Sequence, residues 1–167
     1  TPCYRREAGS YRANEKGLIR MHQFNKVEMY LFVKPEDANQ AMDELVNRAE
    51  ELVAGLGLHY RVVKLAAGDC SAGMAKTYDV EVYIPSIDKY YEVSSISNAR
   101  DYQARRGNMR YKREDGKLEF LNTLNASGLA TSRLMVALVE TYQNEDGSIE
   151  VPEVLRPYMG GVDKIAK

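Results

Sequence analysis

The sequence has little cysteine, no long apolar run and no excess of charge of either sign, and each shortage removes a class of protein. Two cysteines in 167 residues, Cys3 and Cys70, are too few for a disulfide framework and lack the paired spacing of a zinc site. They read as small buried or half-buried residues of a chain kept in a reducing compartment. No apolar stretch approaches the ~20 residues of a membrane-spanning helix, and no signal-peptide pattern is present. A soluble, cytoplasmic protein with no membrane partner is expected. With 23 Lys and Arg against 24 Asp and Glu, the net charge is -1, so nucleic acid is not held through an overall basic field. Any polyanion site must be local. Internal repeats and low-complexity tracts are also missing. The length suits one domain with a core large enough to fold without staples. The chain opens on "TPCYRREAG", without methionine and directly on a strand-like pattern, and is expected to be part of something longer.

What is present is strong periodicity. From Leu18 to Val33 the pattern is extended, with Val27, Met29, Leu31 and Val33 on one face and Arg20, His22, Phe24, Lys26 and Glu28 on the other. The period then changes. Pro35 suits a first helical turn, Glu36 and Asp37 favour its positive end, and Ala38, Met42, Leu45, Ala49, Leu52 and Leu56 recur at helical spacing until Gly55 and Gly57 end the helix. Strands are expected at Arg61 to Ala66, Tyr78 to Ile84, Tyr90 to Ser95, Met109 to Lys112 and Leu118 to Leu124, and a closing helix at Leu129 to Tyr142. Several strands with short connections and two long helices predict an α+β fold, an antiparallel sheet flanked by helices.

Three stretches carry chemistry. Between Tyr4 and Glu28 the cations Arg5, Arg6, Arg12, Lys16, Arg20 and Lys26 are interleaved with glutamates and with the aromatics Tyr11 and Phe24. Pleating puts Arg5 and Glu7 on one face of a first strand and Arg20, Phe24, Lys26 and Glu28 on one face of a second. If the strands pair as a hairpin, the two faces coincide. A guanidinium fork binds phosphate oxygens, an aromatic face stacks on a base and a carboxylate holds an ammonium group, a set that suits a nucleotide together with an amino compound. A solvated charged hairpin has the same pattern.

In "KTYDVEVYIPSIDKYYEVSSISN", Val80, Val82 and Ile84 face one way and Asp79 and Glu81 the other, while Glu92 and Ser94 share a face of the next strand. Hard oxygen donors on neighbouring strands suit magnesium held against phosphates, although such alternation taken alone more often means an ordinary water-facing sheet. In "TLNASGLATSRLMVALVET" a strand, a small-residue turn and a helix follow one another. The helix's free N–H groups and Arg133 in its first turns form an anion site, or else a tightly packed junction with a surface arginine.

Together these stretches resemble the C-terminal part of the catalytic domain of bacterial-type seryl-tRNA synthetases, class II aminoacyl-tRNA synthetases. "YRREAGS" with "GLIRMHQFNKVEM" resembles motif 2, "TLNASGLATSRLMVALVETYQ" with "VPEVLRPYMGG" resembles motif 3 and the C-terminal end, and "YYEVSSISNARDYQARR" resembles the intervening serine-type segment. The likeness covers essentially the whole chain. It implies ATP-dependent activation of L-serine to seryl-adenylate, transfer to tRNA(Ser), Mg2+ as the accompanying metal and a homodimer. It assigns Arg5 to the α-phosphate and the serine carboxylate, Glu7 to the adenine amino group and Phe24 to stacking on adenine. Arg20 and Arg133 are assigned to the outer phosphates and Glu92 and Ser95 to magnesium. Glu28 is assigned to serine's ammonium, with Lys26 beside it, and Asn125 and Ser127 to the substrate's polar end. Simple alternation puts Ser95 opposite Glu92, and a bulge between them would reconcile the two.

The family's N-terminal tRNA-binding arm, its motif 1 and an upstream serine-recognition loop have no counterpart in residues 1–167. Zinc-dependent relatives need cysteine ligands that Cys3 and Cys70 do not supply, so no zinc is expected. A synthetase-like paralogue that loads an amino acid onto a carrier protein, and a noncatalytic fragment acting as an interaction module, are the other readings.

Overall fold

The computed structural model describes residues 1–7, 15 and 17–166. The charged loop of the first stretch, Tyr11 and Arg12 included, lies outside the described residues. A six-stranded antiparallel sheet organises the rest, in the order β1-β2-β8-β5-β4-β3. Its strands are β1 (Pro2–Tyr4), β2 (Gln23–Val33), β3 (Tyr60–Lys64), β4 (Lys76–Ile84), β5 (Lys89–Asn98) and β8 (Asn122–Ala130). Helix α1 (Ala38–Gly55) links β2 to β3, the short α2 (Tyr102–Gly107) follows β5, and α3 (Thr131–Tyr142) follows β8. Two small ribbons, β6 (Arg110–Lys112) with β7 (Leu118–Phe120) and β9 (Ile149–Glu150) with β10 (Lys164–Ile165), complete the described strands. This is the α+β arrangement expected from the periodicity. Among the described residues no helix is long and apolar enough to cross a membrane.

The core lies between one face of the sheet and the two long helices. Met42, Leu45, Ala49 and Val53 of α1 are fully buried with Val80, Val82 and Ile84 of β4, Val93 and Ile96 of β5 and Leu124 and Ala126 of β8, and Ala137 of α3 joins the same cluster. Alternation along β4 therefore sends Val80, Val82 and Ile84 inward, as read from the sequence, and leaves the opposite sheet face for polar residues. Two expected core residues are not there. Val27 is 62% exposed and Leu52 46% exposed, while Val53, one position further on, takes the core side of α1.

Boundaries differ where local signals mislead. The stretch after Leu18 is not a continuous strand, because Gly17–Ile19 forms a 3-10 turn and β2 begins only at Gln23. "NASGLA" is not a turn either. Residues 125–130 continue β8, since its backbone pairs with β2 as far as Ala130 and with β5 as far as Ala126. The small side chains that mimic a turn leave room for neighbours. A Cβ on Gly128 would sit 3.3 Å from Val27 Cγ1.

Gly57 ends the α1 segment at φ +67°, and the Tyr142 hydroxyl beside it donates to the Leu56 carbonyl at 2.7 Å, fastening the end of α3 to the end of α1. A Cβ at position 57 would collide with that hydroxyl. Left-handed backbone costs a non-glycine residue about 1–2 kcal/mol before any clash. Gly57→Ala should therefore lower stability in urea titration by roughly 2 kcal/mol or more, and by less in a Tyr142→Phe background, where the colliding hydroxyl is gone.

Candidate active site

The first two strands do pair as a hairpin. Pro2, Cys3 and Tyr4 lie opposite Asn25, Phe24 and Gln23, and the Arg5 amide donates to the His22 carbonyl at 2.8 Å. Arg5 and Glu7 lie beyond the end of β1, and Glu7 turns to φ 55°, so the pleat does not align them. The turn does, because both line one cleft with Arg20, Phe24 and Lys26. The Arg5 guanidinium lies 5.5 Å from the Phe24 ring centroid, a spacing at which the cation and the aromatic face attract. Arg20 pairs with Glu7 at 2.5 Å and with Glu15 at 3.5 Å, and its buried Nε has no partner.

Further along β2 the even face meets β8. Lys26 Nζ lies 3.0 Å from Glu28 Oε2, the Asn125 amide donates to Glu28 Oε1 at 2.9 Å, and the Ser127 hydroxyl donates to Oε2 at 3.3 Å. Glu28 pairs with Ser127 in register, then Lys26 with Ala130, so β8 carries an extra residue between them. Leu129 takes φ 101° there, and this bulge brings Ser127 beneath Glu28 while letting β8 run directly into α3. Arg133, in the first turn of α3, is not a surface arginine. Its side chain is 13% exposed, Nε donates to the Ile19 carbonyl at 3.0 Å, Nη1 donates to the Glu92 carbonyl at 2.9 Å, and the Glu92 carboxylate lies at 3.5 Å. Ser132, not singled out from the sequence, also lines the cleft. The only signal for it was its place beside Arg133.

The two candidate metal ligands come together through a second bulge. Val80 pairs with Ser94 and Glu81 with Glu92, leaving Val93 as the extra residue of β5. Alternation therefore resets. Glu92 and Ser95 share the polar side, whereas Ser94, expected beside Glu92, is fully buried and donates to the Ser127 carbonyl at 2.6 Å. Asp79 faces Ser95 across the β4–β5 pair. Burial pushes the Asp79 carboxyl up to about 6; Glu92 and Glu81 add to the rise, and the Ser95 hydroxyl and Arg133 oppose it. Among the described residues no three His, Cys, Asp or Glu side chains form a metal cage, so a cation here would share its shell with substrate oxygens and water.

The raised value has a consequence for stability. Between 3.8, the ordinary carboxyl value, and about 6, the folded chain binds more protons at Asp79 than the unfolded chain does. Stability is therefore lost as pH rises through this window, and the cost of the ionised group is fully present above it. In metal-free buffer Asp79→Asn should stabilise the protein at pH 8 by on the order of 1 kcal/mol, and the gain should vanish toward pH 4. Melting curves across that range check it. A gain independent of pH would assign the effect to packing.

All eleven residues picked out from the sequence thus face one side of the sheet or the cleft above it. The family described as tRNA synthetase class II core domain (G, H, P, S and T) matches residues 1–142. The chain belongs to this class II family. Its core is 66% identical over 161 residues to serine-tRNA ligase 2 of Clostridium acetobutylicum and 58% identical over 160 residues to the serine-tRNA ligase of Kosmotoga olearia, covering 96% of this chain and 38% of each relative. Two solved structures superpose closely. Seryl-tRNA synthetase from Pyrococcus horikoshii complexed with ATP aligns at TM-score 0.93 and 42% identity over 99% of this chain and 37% of that one. The cytoplasmic serine-tRNA ligase of Naegleria fowleri in complex with AMP aligns at TM-score 0.90 and 37% identity, covering 99% and 40%. The class II core described here therefore spans well under half the length of the relatives it matches.

Proposed function

We propose that this chain forms the ATP and serine site of a serine-tRNA ligase. The observation that carries the reading is the make-up of the cleft. Its lining includes Arg5, Phe24, Arg20, Glu7 and Arg133, and next to Lys26 and Ser127 of the same lining lies the Glu28 carboxylate, held by Lys26, Asn125 and Ser127. A nucleotide fits the first set and an amino acid's ammonium the Glu28 carboxylate, with Arg5 near where the two substrates meet. The names of the relatives, serine-tRNA ligases at up to 66% identity, favour serine as that amino acid.

In the proposed reaction a serine carboxylate oxygen attacks the α-phosphorus of ATP, the bond to the bridging oxygen breaks, and pyrophosphate leaves as seryl-adenylate forms. No protein nucleophile is needed. The residues orient the two substrates and offset negative charge at the α-phosphate. Phe24 stacks on adenine and Glu7 accepts from its amino group. Arg20 and Arg133 hold the outer phosphates, ATP replacing the Arg20–Glu7 pair, and Arg5 spans the α-phosphate and the serine carboxylate. Glu92 and Ser95, hard oxygen donors on one side of β5 next to the unpartnered Asp79 oxygen, suit Mg2+ carried in with the phosphates, where it would offset their charge. The intact protein is read as a cytoplasmic homodimer that passes serine from the adenylate to tRNA(Ser).

Amino-acid-dependent exchange of pyrophosphate into ATP tests the assignment. Serine should support exchange in the intact protein carrying this chain, with alanine and threonine far behind. Exchange that ignores serine would overturn the reading.

A further inference from the structure

Asp79 stands apart from the other acids near the magnesium-facing residues. Glu81 is compensated by Arg61 at 2.7 Å, and Glu92 faces Arg133 at 3.5 Å. Asp79 has no ion pair among the described residues. It is 8% exposed, lines the cleft shared by Glu92 and Ser95, and its Oδ1 is buried without a hydrogen-bond partner. A buried carboxylate oxygen with no donor is costly in a stable fold unless a ligand supplies the missing positive charge or proton donor. Its register is fixed. Asp79 lies opposite Ser95 on adjacent strands, and the Val93 bulge beside them puts Ser95 on the same side as Glu92.

We propose that Asp79 is a positioning residue for the magnesium that accompanies ATP, holding Ser95 and accepting hydrogen bonds from metal-bound water through its unpartnered oxygen. The premise is the Glu92 and Ser95 site proposed above. Magnesium keeps several of its waters when it binds through one or two protein ligands, and those waters need acceptors. An acceptor lodged in β4, a strand paired on both sides, fixes the metal more rigidly than one on a loop. Residues in such outer positions typically change metal affinity by about 10–100-fold when removed.

The test uses the intact protein carrying this chain, Mn2+ in place of magnesium and a non-hydrolysable ATP analogue. Water-proton relaxation reports the metal–nucleotide complex on the protein, and a parallel titration with adenosine reports the Phe24 end alone. Asp79→Asn should weaken the Mn2+–nucleotide complex about tenfold or more while leaving adenosine affinity within twofold of the parent. Glu92→Gln should weaken it at least as much. Asp79→Ser provides a second variant should the amide fold poorly, and the same loss is expected. If Glu92→Gln loses affinity while both Asp79 variants stay within twofold, this inference is overturned and the metal site stands. Should Glu92→Gln also keep parental affinity, the proposed metal site falls and the inference with it. Equal losses of adenosine and metal–nucleotide binding in the Asp79 variants would assign Asp79 a structural role only.

Discussion

Arg5→Ala is expected to reduce serine-dependent pyrophosphate exchange about a hundredfold, which corresponds to ~3 kcal/mol of transition-state stabilisation, with little change in melting temperature. Arg5 lies beyond the end of β1 and is exposed, so truncation leaves no core cavity. Its backbone amide still bonds to His22, which preserves the hairpin. What disappears is a planar cation fixed over Phe24, at the point where negative charge on the α-phosphate must be offset. Arg5→Lys should recover only part of the loss, because an ammonium is a point charge and cannot grip two oxygens in one plane. Single-turnover rates at saturating serine and ATP separate this from weaker binding. Exchange within threefold of the parent would remove Arg5 from the reacting centre.

Glu28→Gln should raise the serine KM about tenfold or more, since a charge-assisted hydrogen bond contributes about 1.5–3 kcal/mol, and leave the ATP KM nearly unchanged. The amide keeps the shape but not the charge, and it disturbs three neighbours that now bond to a carboxylate. Lys26 loses its counter-ion, and Asn125 and Ser127 each lose a charged acceptor. Because Glu28 lies four residues beyond Phe24 along β2 and touches neither Phe24 nor Arg20, the nucleotide end is spared. A rise in the ATP KM with the serine KM intact would reverse the assignment.

How far these residues could be read from the sequence depended on whether their placement was local. Period-two alternation located the apolar face of β4, because that follows from pleating alone, whereas the pairing of β1 with β2 was a condition that pleating could not supply. The two bulges did not follow. The expectation that Glu92 and Ser94 share a face came from strict alternation, and only the extra residue at Val93 exchanges Ser94 for Ser95. The family resemblance named Ser95 before geometry could explain it. Residues 125–130 read as a turn since Asn, Ser and Gly carry turn propensity. Pairing with β2 and β5 overrides that propensity, and no short window of sequence contains it. Helix α2 was missed because a six-residue segment is too short for a helical period to register. Val27 and Leu52 had the right spacing and the wrong neighbours. Arg133 illustrates the same limit: its bonds to Ile19 and Glu92 cross long stretches of chain, so nothing near position 133 distinguishes it from a surface arginine.

The central claim is that one cleft holds a nucleotide at the hairpin end and the amino group of serine at the Glu28 end. A non-hydrolysable seryl-adenylate analogue, a sulfamate in place of the phosphate, spans both ends at once, so its calorimetric titration into the intact protein carrying this chain tests the claim most directly. The account predicts binding at least a hundredfold tighter than AMP or serine alone, weakened by Arg5→Ala and by Glu28→Gln, with the analogue lacking the α-amino group bound as weakly by the parent as by the Glu28 variant. Equal affinity for the analogues with and without that amino group, or indifference to both substitutions, would contradict it.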